Sequence, residues 1–398
     1  MPLAIQGRRG RTPSAWLASL LLALSLGGCL PPRHFDEEAW RRQVASEKVA
    51  DLYAPHQDPQ GRFFNPWQPR EHSWWNLIYW LLSANSLGDR RGQAPEVPRQ
   101  ANDGAYLALP VASVPNISAR PQREPPTPAE GIAPTDPLSA SRGRQAPGIT
   151  WIGHATFAVQ LGGPPVITDP FFGPRAGPAR RQVPPAFGPE KVPAGAVALI
   201  SHNHYDHLDA FSVAALGDRV IFLCPLGLKT LLGELGARQV RELDWWQSLT
   251  IEGTTFTCLP AQHWSLRLGQ GYNMSLWCSW LIERGGRRVF FSGDSGYFIG
   301  FGEIGRRYPG IDAALISVGA YLPRWFMHYA HLDPAEALAA ARDLGAKALV
   351  PGHWGAVQLG DEPLAWVLGD LKAASRQRPP TANPQLTILP VGGRLSLD

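Results

Sequence analysis

Residues 201 to 209, SHNHYDHLD, place His202, His204, Asp206 and His207 within six positions, directly after an apolar run of strand length that ends at Ser201. Three imidazoles and a carboxylate this close in sequence can face common points only if the backbone leaves the strand and curls. Layered α/β proteins usually place ligand-binding groups on such loops, at the carboxyl ends of strands. Downstream, His263 in PAQHW, Asp294 in SGDSGY and His353 in PGHWG also close strand-like runs. Five His and two Asp with no thiolate among them form a donor set that favours zinc and leaves iron or manganese open.

The fold has to bring those seven side chains together. Short apolar runs recur at 149–159, 166–168, 197–201, 220–224, 254–259, 276–282, 289–292, 313–318 and 348–350, with helical patterns at 209–216, 227–235, 334–344 and 364–374. Asp333 suits the cap of the third helix and Pro334 its first turn. Strands alternating with helices at this spacing predict a layered α/β domain with buried sheets over 149–398. Upstream, a helix is expected near 36–52. The stretch 61–82 concentrates Phe63, Phe64, Trp67, Trp74, Trp75, Tyr79 and Trp80, and suits either core packing on the main domain or an interfacial face toward lipid. Residues 92–148 are rich in Pro, Ser, Gly and Gln and read as an irregular connection.

The formal charge of +4 comes without any block of five like charges, so nucleic acid is not an expected partner. Arg8, Arg9 and Arg11 precede an apolar run at 15–26, which is too short to span a bilayer, and Leu26-Gly27-Gly28-Cys29 follows. This leader resembles a bacterial lipobox, which implies removal of residues 1–28 and lipidation of Cys29. With Leu30 and Pro31 next, the expected location is the cell envelope, lipid-anchored at the periplasmic face of the outer membrane in a Gram-negative cell. The organisation is then a signal peptide (1–28), an anchor-proximal segment (29–60), an aromatic extension with its Pro-rich connection (61–148) and the layered domain (149–398). The remaining cysteines, Cys224, Cys258 and Cys278, lie in apolar runs and read as buried thiols with at most one bridge.

The order HxHxDH, His, Asp, His resembles the metallo-β-lactamase superfamily. More narrowly, WIGHATFAVQ, ITDPFF, SHNHYDHLD, PLGL, ELDWW, PAQHW, LWCSW, FFSGDSGY, GAYLPRWFMHYAHLDP and GHWG, in this order, resemble N-acyl-phosphatidylethanolamine-hydrolysing phospholipase D and its bacterial relatives, with FFNPW near 63 extending the match. The resemblance implies the αββα metallo-β-lactamase sandwich and two zinc ions. His202, His204 and His263 would hold one ion, Asp206, His207 and His353 the other, and Asp294 would bridge them. It also implies catalytic roles for Asp206, Asp294 and His331, the last contacting the substrate phosphate. His154 in the GHA motif and Asp169 in the TDP motif would orient metal ligands, although both also suit plain turn formation. The implied reaction is hydrolysis of the phospholipid's phosphodiester, by a hydroxide held between the zinc ions, to phosphatidic acid and N-acylethanolamine. The residue before His331 is Gln in animal enzymes and Ala330 here, so the headgroup contacts depart from the family's pattern.

Two other functions fit the same residues: a lactonase or other small-ester hydrolase on the same dinuclear site, and a non-catalytic envelope lipoprotein. Trp245, Trp246, Trp264, Trp277, Trp280, Trp325, Phe326 and Met327 are candidates to line an acyl-chain groove, though core packing is the commoner role for any one of them. The expected partners are a phospholipid substrate and the membrane, through the N-terminal lipid anchor and the Trp-rich segment 73–82; a homodimer is open to family members. Replacing Trp74 and Trp75 with Ser is expected to weaken liposome association of the unlipidated protein, and unchanged binding in a flotation assay would remove the membrane role of this segment.

Overall fold

The computed structural model describes residues 33–68, 74–83, 96–107, 117–120, 146–376 and 384–397. The leader, Cys29 and His72 lie outside the described residues. In chain order the principal strands are β1 (Ile117–Arg120), β2 (Gly148–Gly153), β3 (Thr156–Gln160), β4 (Val166–Thr168), β5 (Val197–Leu199), β6 (Ile221–Pro225), β7 (Gln239–Leu243) and β8 (Ser248–Ile251). They continue as β9 (Thr254–Leu259), β10 (Ser279–Arg284), β11 (Arg287–Phe291), β12 (Ala313–Ser317), β13 (Ala348–Gly352), β14 (Gln385–Leu386) and β15 (Arg394–Ser396). One sheet runs β15-β2-β3-β4-β5-β6-β7 and the second β1-β8-β9-β10-β11-β12-β13-β14. Each sheet carries a parallel stretch, β4 to β7 in the first and β11 to β14 in the second.

The apolar runs alternate between two cores, which is why the strands read as continuously hydrophobic. In the first sheet Phe157, Val159, Val166, Val197, Leu199, Ile221 and Leu223 join the large core shared with the second sheet. Their neighbours Ala158, Ile167, Ala198, Phe222 and Cys224 face a separate core closed by Val213, Leu216 and Leu232. Those last three belong to helices α3 (Ala210–Leu216) and α4 (Lys229–Glu234), which follow α1 (Glu37–Ala45) and α2 (Trp74–Leu82) in the chain. On the second sheet, helices α5 (Gly300–Arg307), α7 (Pro334–Asp343) and α8 (Trp366–Arg376) contribute Ile304, Ala337, Ala340 and Leu371 to the large core, with the short α6 (Arg324–Met327) between α5 and α7. The layers are therefore helix, sheet, sheet, helix, as the resemblance implies. Asp333 caps α7 in a reciprocal box with Glu336, with Pro334 inside the first turn.

Several boundaries differ from expectation. The run 149–159 is a hairpin, β2 and β3, because Gly153 and His154 both take positive φ and turn the chain. The helix expected over 36–52 ends at Ala45 and gives way to a short 3₁₀ turn, Val49–Tyr53. The connection read as irregular contains β1, which pairs antiparallel with β8. The strands β7, β8, β14 and β15 and the helices α5 and α6 carry weaker apolar patterns, and tertiary pairing decides them. Cys224, Cys258 and Cys278 are free and buried.

The N-terminal segments pack on the second sheet's helices. The indole N–H of Trp40 donates to Glu336 (2.9 Å), and the backbone N–H of Ile299, at the start of α5, donates to Glu47 (2.7 Å). Burial raises the Glu47 carboxyl from 4.5 to about 8. A carboxyl whose pKa is raised on folding holds its proton better in the folded state, so its contribution to stability is full below 4.5 and is lost as pH rises to about 8. Glu47→Gln is therefore expected to flatten the fall in urea midpoint across this interval, with a residual slope from Glu336 and Glu362, both raised to about 7. An unchanged slope would contradict the assignment.

Candidate metal centre

The expected site residues converge at one edge of the sandwich, from loops at the strand ends of both sheets. The first sheet supplies His154 after β2, Asp169 after β4 and the loop 201–208 after β5; the second supplies His263 after β9, Asp294 after β11 and His353 after β13. Close approach of these loops needs small residues at the contacts. A Cβ on Gly293, which has φ +55°, would sit 2.6 Å from the Ser201 Cβ, and one on Gly319 would sit 1.8 Å from the His353 carbonyl oxygen. His154, Asp169 and His353 take φ of +55°, +31° and +63°, in the left-handed region that non-glycine residues rarely occupy. Strain of about 1–3 kcal/mol at each such residue persists only where the surroundings over-determine it, and such residues cluster at functional sites.

Three imidazoles form the first cluster. His202 Nε2 lies 2.9 Å from His204 Nδ1, which lies 3.2 Å from His263 Nε2. These spacings approach the roughly 3.3 Å between tetrahedral neighbours around an ion with bonds of about 2.0–2.1 Å. The second cluster is Asp206 Oδ2, His207 Nε2 and His353 Nε2, with both nitrogens within 3.2 Å of the carboxylate oxygen. Asp294 Oδ2 stands between the clusters, 3.1 Å from His207 Nε2 and 3.2 Å from His353 Nε2 on one side, and 4.0 Å from both His202 Nε2 and His263 Nε2 on the other. Asp294 Oδ1 and His207 Nε2 are buried without a hydrogen-bond partner. Buried polar atoms in that condition are uncommon, and a set of lone pairs aimed at shared points fits one ion in each cluster.

The outward-facing ring atoms are held as metal-ligating imidazoles usually are. His207 Nδ1–H donates to Asp169 Oδ2 (2.6 Å), the Ser201 hydroxyl donates to the same oxygen (2.6 Å), and His202 Nδ1–H donates to Ser201 Oγ (2.9 Å). One carboxylate thus steadies a histidine in each cluster, one directly and one through Ser201. His263 Nδ1–H donates to the Ala330 carbonyl (3.0 Å), so the backbone at the position departing from the family's pattern fixes a candidate ligand. His154 Nε2 donates to Asp206 Oδ2 (2.8 Å), and its carbonyl accepts the backbone N–H of His353 (3.0 Å). Sequence alone gives neither Ser201 nor Ala330 such a role. A hydroxyl directly before His202 was the available signal for the first, whereas a backbone carbonyl leaves none.

Charge divides the imidazoles. Burial holds His202 and His263 well below 6.5 and His204 near 3, leaving them in the neutral form that binds metals. Burial also opposes charge on His207 and His353, but the carboxylates overcome it: Asp294, Asp206 and Asp169 raise His207, and Asp294 and Asp206 raise His353 to about 9. The buried carboxylates demand positive charge, and a divalent cation would supply it in place of those protons.

His331 Nδ1 lies 3.8 Å from Asp294 Oδ2, on the more exposed side of the site, and burial lowers its pKa to about 4. Its ring faces the metal clusters, and the neighbouring Asp333 is occupied in capping α7. Among the aromatic candidates, Trp264 stands beside the site with its ring 4.6 Å from His204. Trp245, Trp277, Trp280, Trp325 and Met327 are buried, and Trp246 stacks on Tyr53 and bonds to the Leu52 carbonyl. Their side chains were spent on packing, so an acyl groove lined by all of these residues is not what forms. In α2, Trp75 is 75% exposed, whereas Tyr79 and Trp80 pack against Trp325 and Phe326.

Residues 165–354 match the family model of the beta-lactamase superfamily domain. The chain is 38% identical over 230 residues to N-acyl-phosphatidylethanolamine-hydrolyzing phospholipase D 1 of Caenorhabditis elegans, covering 53% of this chain and 64% of that protein. It is 34% identical over 228 residues to the mitochondrial enzyme of the same name from Saccharomyces cerevisiae, covering 54% of this chain and 48% of that protein. The chain thus spans less than two thirds of the length of these relatives. A crystal structure of a possible metal-dependent hydrolase from Veillonella parvula superposes with a TM-score of 0.52 at 14% identity, covering 63% of this chain and all of that one, which supports the fold. Because Asp169 serves both clusters, Asp169→Asn is expected to lower metal affinity about 10–100-fold, measured by competition with a chromophoric chelator; wild-type affinity would show that Asp169 only shapes the turn.

Proposed function

The chain belongs to the metallo-β-lactamase superfamily, and from that premise we propose that it is a di-zinc phosphodiesterase of the phospholipase D type, acting on N-acyl-phosphatidylethanolamine-like phospholipids. The observation that carries this reading is the place of Asp294 Oδ2, within 4.0 Å of two nitrogens of one cluster and within 3.2 Å of two of the other. A carboxylate oxygen so placed suits a bridge between two ions. His202, His204 and His263 would hold one and Asp206, His207 and His353 the other, with Asp294 shared. Bound there, two zinc ions would supply Lewis acidity, making water acidic enough to ionise near neutral pH and offsetting the negative charge that builds on phosphoryl oxygens.

The chain's own groups do the rest. Asp206 and Asp294 keep the net charge of the site in balance with two cations, and Asp169, Ser201 and the Ala330 carbonyl fix the imidazoles so that the site need not reorganise during reaction. His331, neutral at physiological pH, can donate a hydrogen bond to a phosphoryl oxygen, while the proton for the departing alkoxide comes from the attacking water. In the overall step the oxygen of water bonds to phosphorus, the bond from phosphorus to the N-acylethanolamine oxygen breaks, and one proton ends on that oxygen. The other product is phosphatidic acid.

A membrane location would suit this substrate class. Lipidation at Cys29 would hold the chain at a bilayer, and α2 presents Trp75 outward while its other face packs on α6, which leads to His331. Interfacial Trp side chains suit the headgroup region. The purified mature protein is expected to hydrolyse N-acylated phosphatidylethanolamine in mixed micelles, to stop on chelation and recover with Zn²⁺. Asp294→Asn is expected to cut turnover by at least about a hundredfold, since the charge shared by both ions is lost. Turnover confined to lactones or small esters, or chelator-resistant phosphodiesterase activity, would sink the proposal.

A further inference from the structure

The FFNPW segment, residues 63–67, lies well upstream of the matched stretch 165–354, yet its side chains reach the loops that carry the metal ligands. Asn65 is 2% exposed. Its carboxamide nitrogen donates to the His263 carbonyl (3.1 Å) and to the Tyr329 hydroxyl (2.8 Å), and its oxygen accepts the Trp277 indole N–H (3.0 Å). Both donors are used, and the acceptor is used by an indole that also bonds to the Ala261 carbonyl (2.9 Å). The Tyr329 hydroxyl in turn donates to the Gln68 carbonyl (3.0 Å), which ties the segment back to itself.

The neighbouring contacts run in the same direction. Trp67 Nε1–H donates to the Gln262 side-chain oxygen (2.9 Å), and the Gln262 amide nitrogen donates to the Tyr329 carbonyl (3.2 Å). The Gln262 backbone N–H donates to Ser295 Oγ (3.0 Å), directly after Asp294, and its carbonyl accepts the Gly296 N–H (2.8 Å). Three loops, carrying His263, Asp294 and His331, are therefore joined through one buried polar network that has residues 65 and 67 as members. His263 is held at two points: Asn65 fixes its carbonyl, and the carbonyl of Ala330 fixes its ring. Asn65 joins those two points, because it also bonds to Tyr329, the residue before Ala330.

We infer that Asn65 is a positioning residue of the metal centre, setting the register of the His263 loop against the Tyr329–His331 turn, and that residues 63–67 are part of the site's machinery. A carboxamide is the group that can give two hydrogen bonds and accept a third within this space. Fully satisfied buried networks of this kind fix one arrangement of the loops they join, and outer residues that orient metal ligands change metal affinity when lost. The inference rests on the assignment of His263 to the His202/His204 cluster and does not depend on which ester or phosphodiester is cleaved.

The test is a metal titration of the full mature chain, read by the visible spectrum of Co²⁺ and by competition with a chelator, on wild type, Asn65→Ala and Leu232→Ala. Leu232 is buried in the core behind the first sheet, away from this network, so its variant controls for lost stability. Asn65→Ala is expected to weaken the binding step of the His202/His204/His263 cluster by about tenfold or more and to alter its Co²⁺ spectrum, leaving the other step near wild type. Leu232→Ala is expected to lower the melting temperature of the metal-free protein without moving either step. Where Asn65→Ala is not recovered folded, Trp67→Phe carries the test beside the Leu232→Ala control: it keeps an aromatic ring while losing the bond to Gln262 and part of the packing on Trp245 and Phe298, and is expected to weaken the same step by a smaller factor. Wild-type binding in whichever variant is recovered, or an equal loss in Leu232→Ala, would overturn the inference. A wild-type chain that takes up two ions but cleaves no phosphodiester would sink the phospholipase reading alone.

Discussion

A buried carboxylate is tolerated only beside compensating charge and hydrogen bonds, and this structure gathers three, Asp169, Asp206 and Asp294, all less than 10% exposed at the junction of two sheets. The surrounding histidines meet that demand unequally. His207 and His353 are drawn toward the protonated form by the carboxylates, whereas His202, His204 and His263 are kept neutral by burial. Much of the remaining architecture follows from keeping this arrangement in place. The sheets bring loops from both halves of the sandwich to one edge, Gly293 and Gly319 let those loops touch, and left-handed backbone at His154, Asp169 and His353 aims the side chains inward. Replacing one carboxylate upsets several partners at once, because each serves more than one imidazole.

The metal-binding pattern was readable before the fold was, because its donor types are rare and its spacing in SHNHYDHLD leaves few alternatives. Many of the strands are legible for a related reason: β3, β5, β6 and β12 are almost wholly apolar and buried, and stand out against the polar loops. The elements that escaped, such as β7 with its Arg241 and Glu242 and the short edge strands β14 and β15, are half exposed and owe their conformation to partners distant in sequence. The same limit applies in the site. Asp294 could be singled out from its motif, but the roles of the Ala330 carbonyl and of Asn65 depend on contacts across 67 and 198 residues of chain. No local pattern announces such contacts.

The aromatic residues separate into two populations that sequence alone mixed together. Trp151, Trp277 and Trp280 are among the largest fully buried side chains, while Trp75 is mostly exposed and Trp264 stands at the metal site. A high tryptophan content therefore marks a heavily packed sandwich first, with Trp75 as its exposed exception. The N-terminal region belongs with the packed population. Trp40, Leu52, Phe63 and Trp67 are buried, and Asn65 and Trp67 extend their hydrogen bonds to the loops beneath His263.

The central claim is that Asp294 stands between two metal ions held by the other six ligands. Anomalous diffraction at the zinc absorption edge, from crystals of the protein equilibrated with Zn²⁺, tests it most directly. The account predicts two strong peaks flanking the Asp294 carboxylate, one against His202, His204 and His263 and the other against Asp206, His207 and His353. A single peak, or peaks that leave Asp294 outside the coordination of either ion, would contradict it.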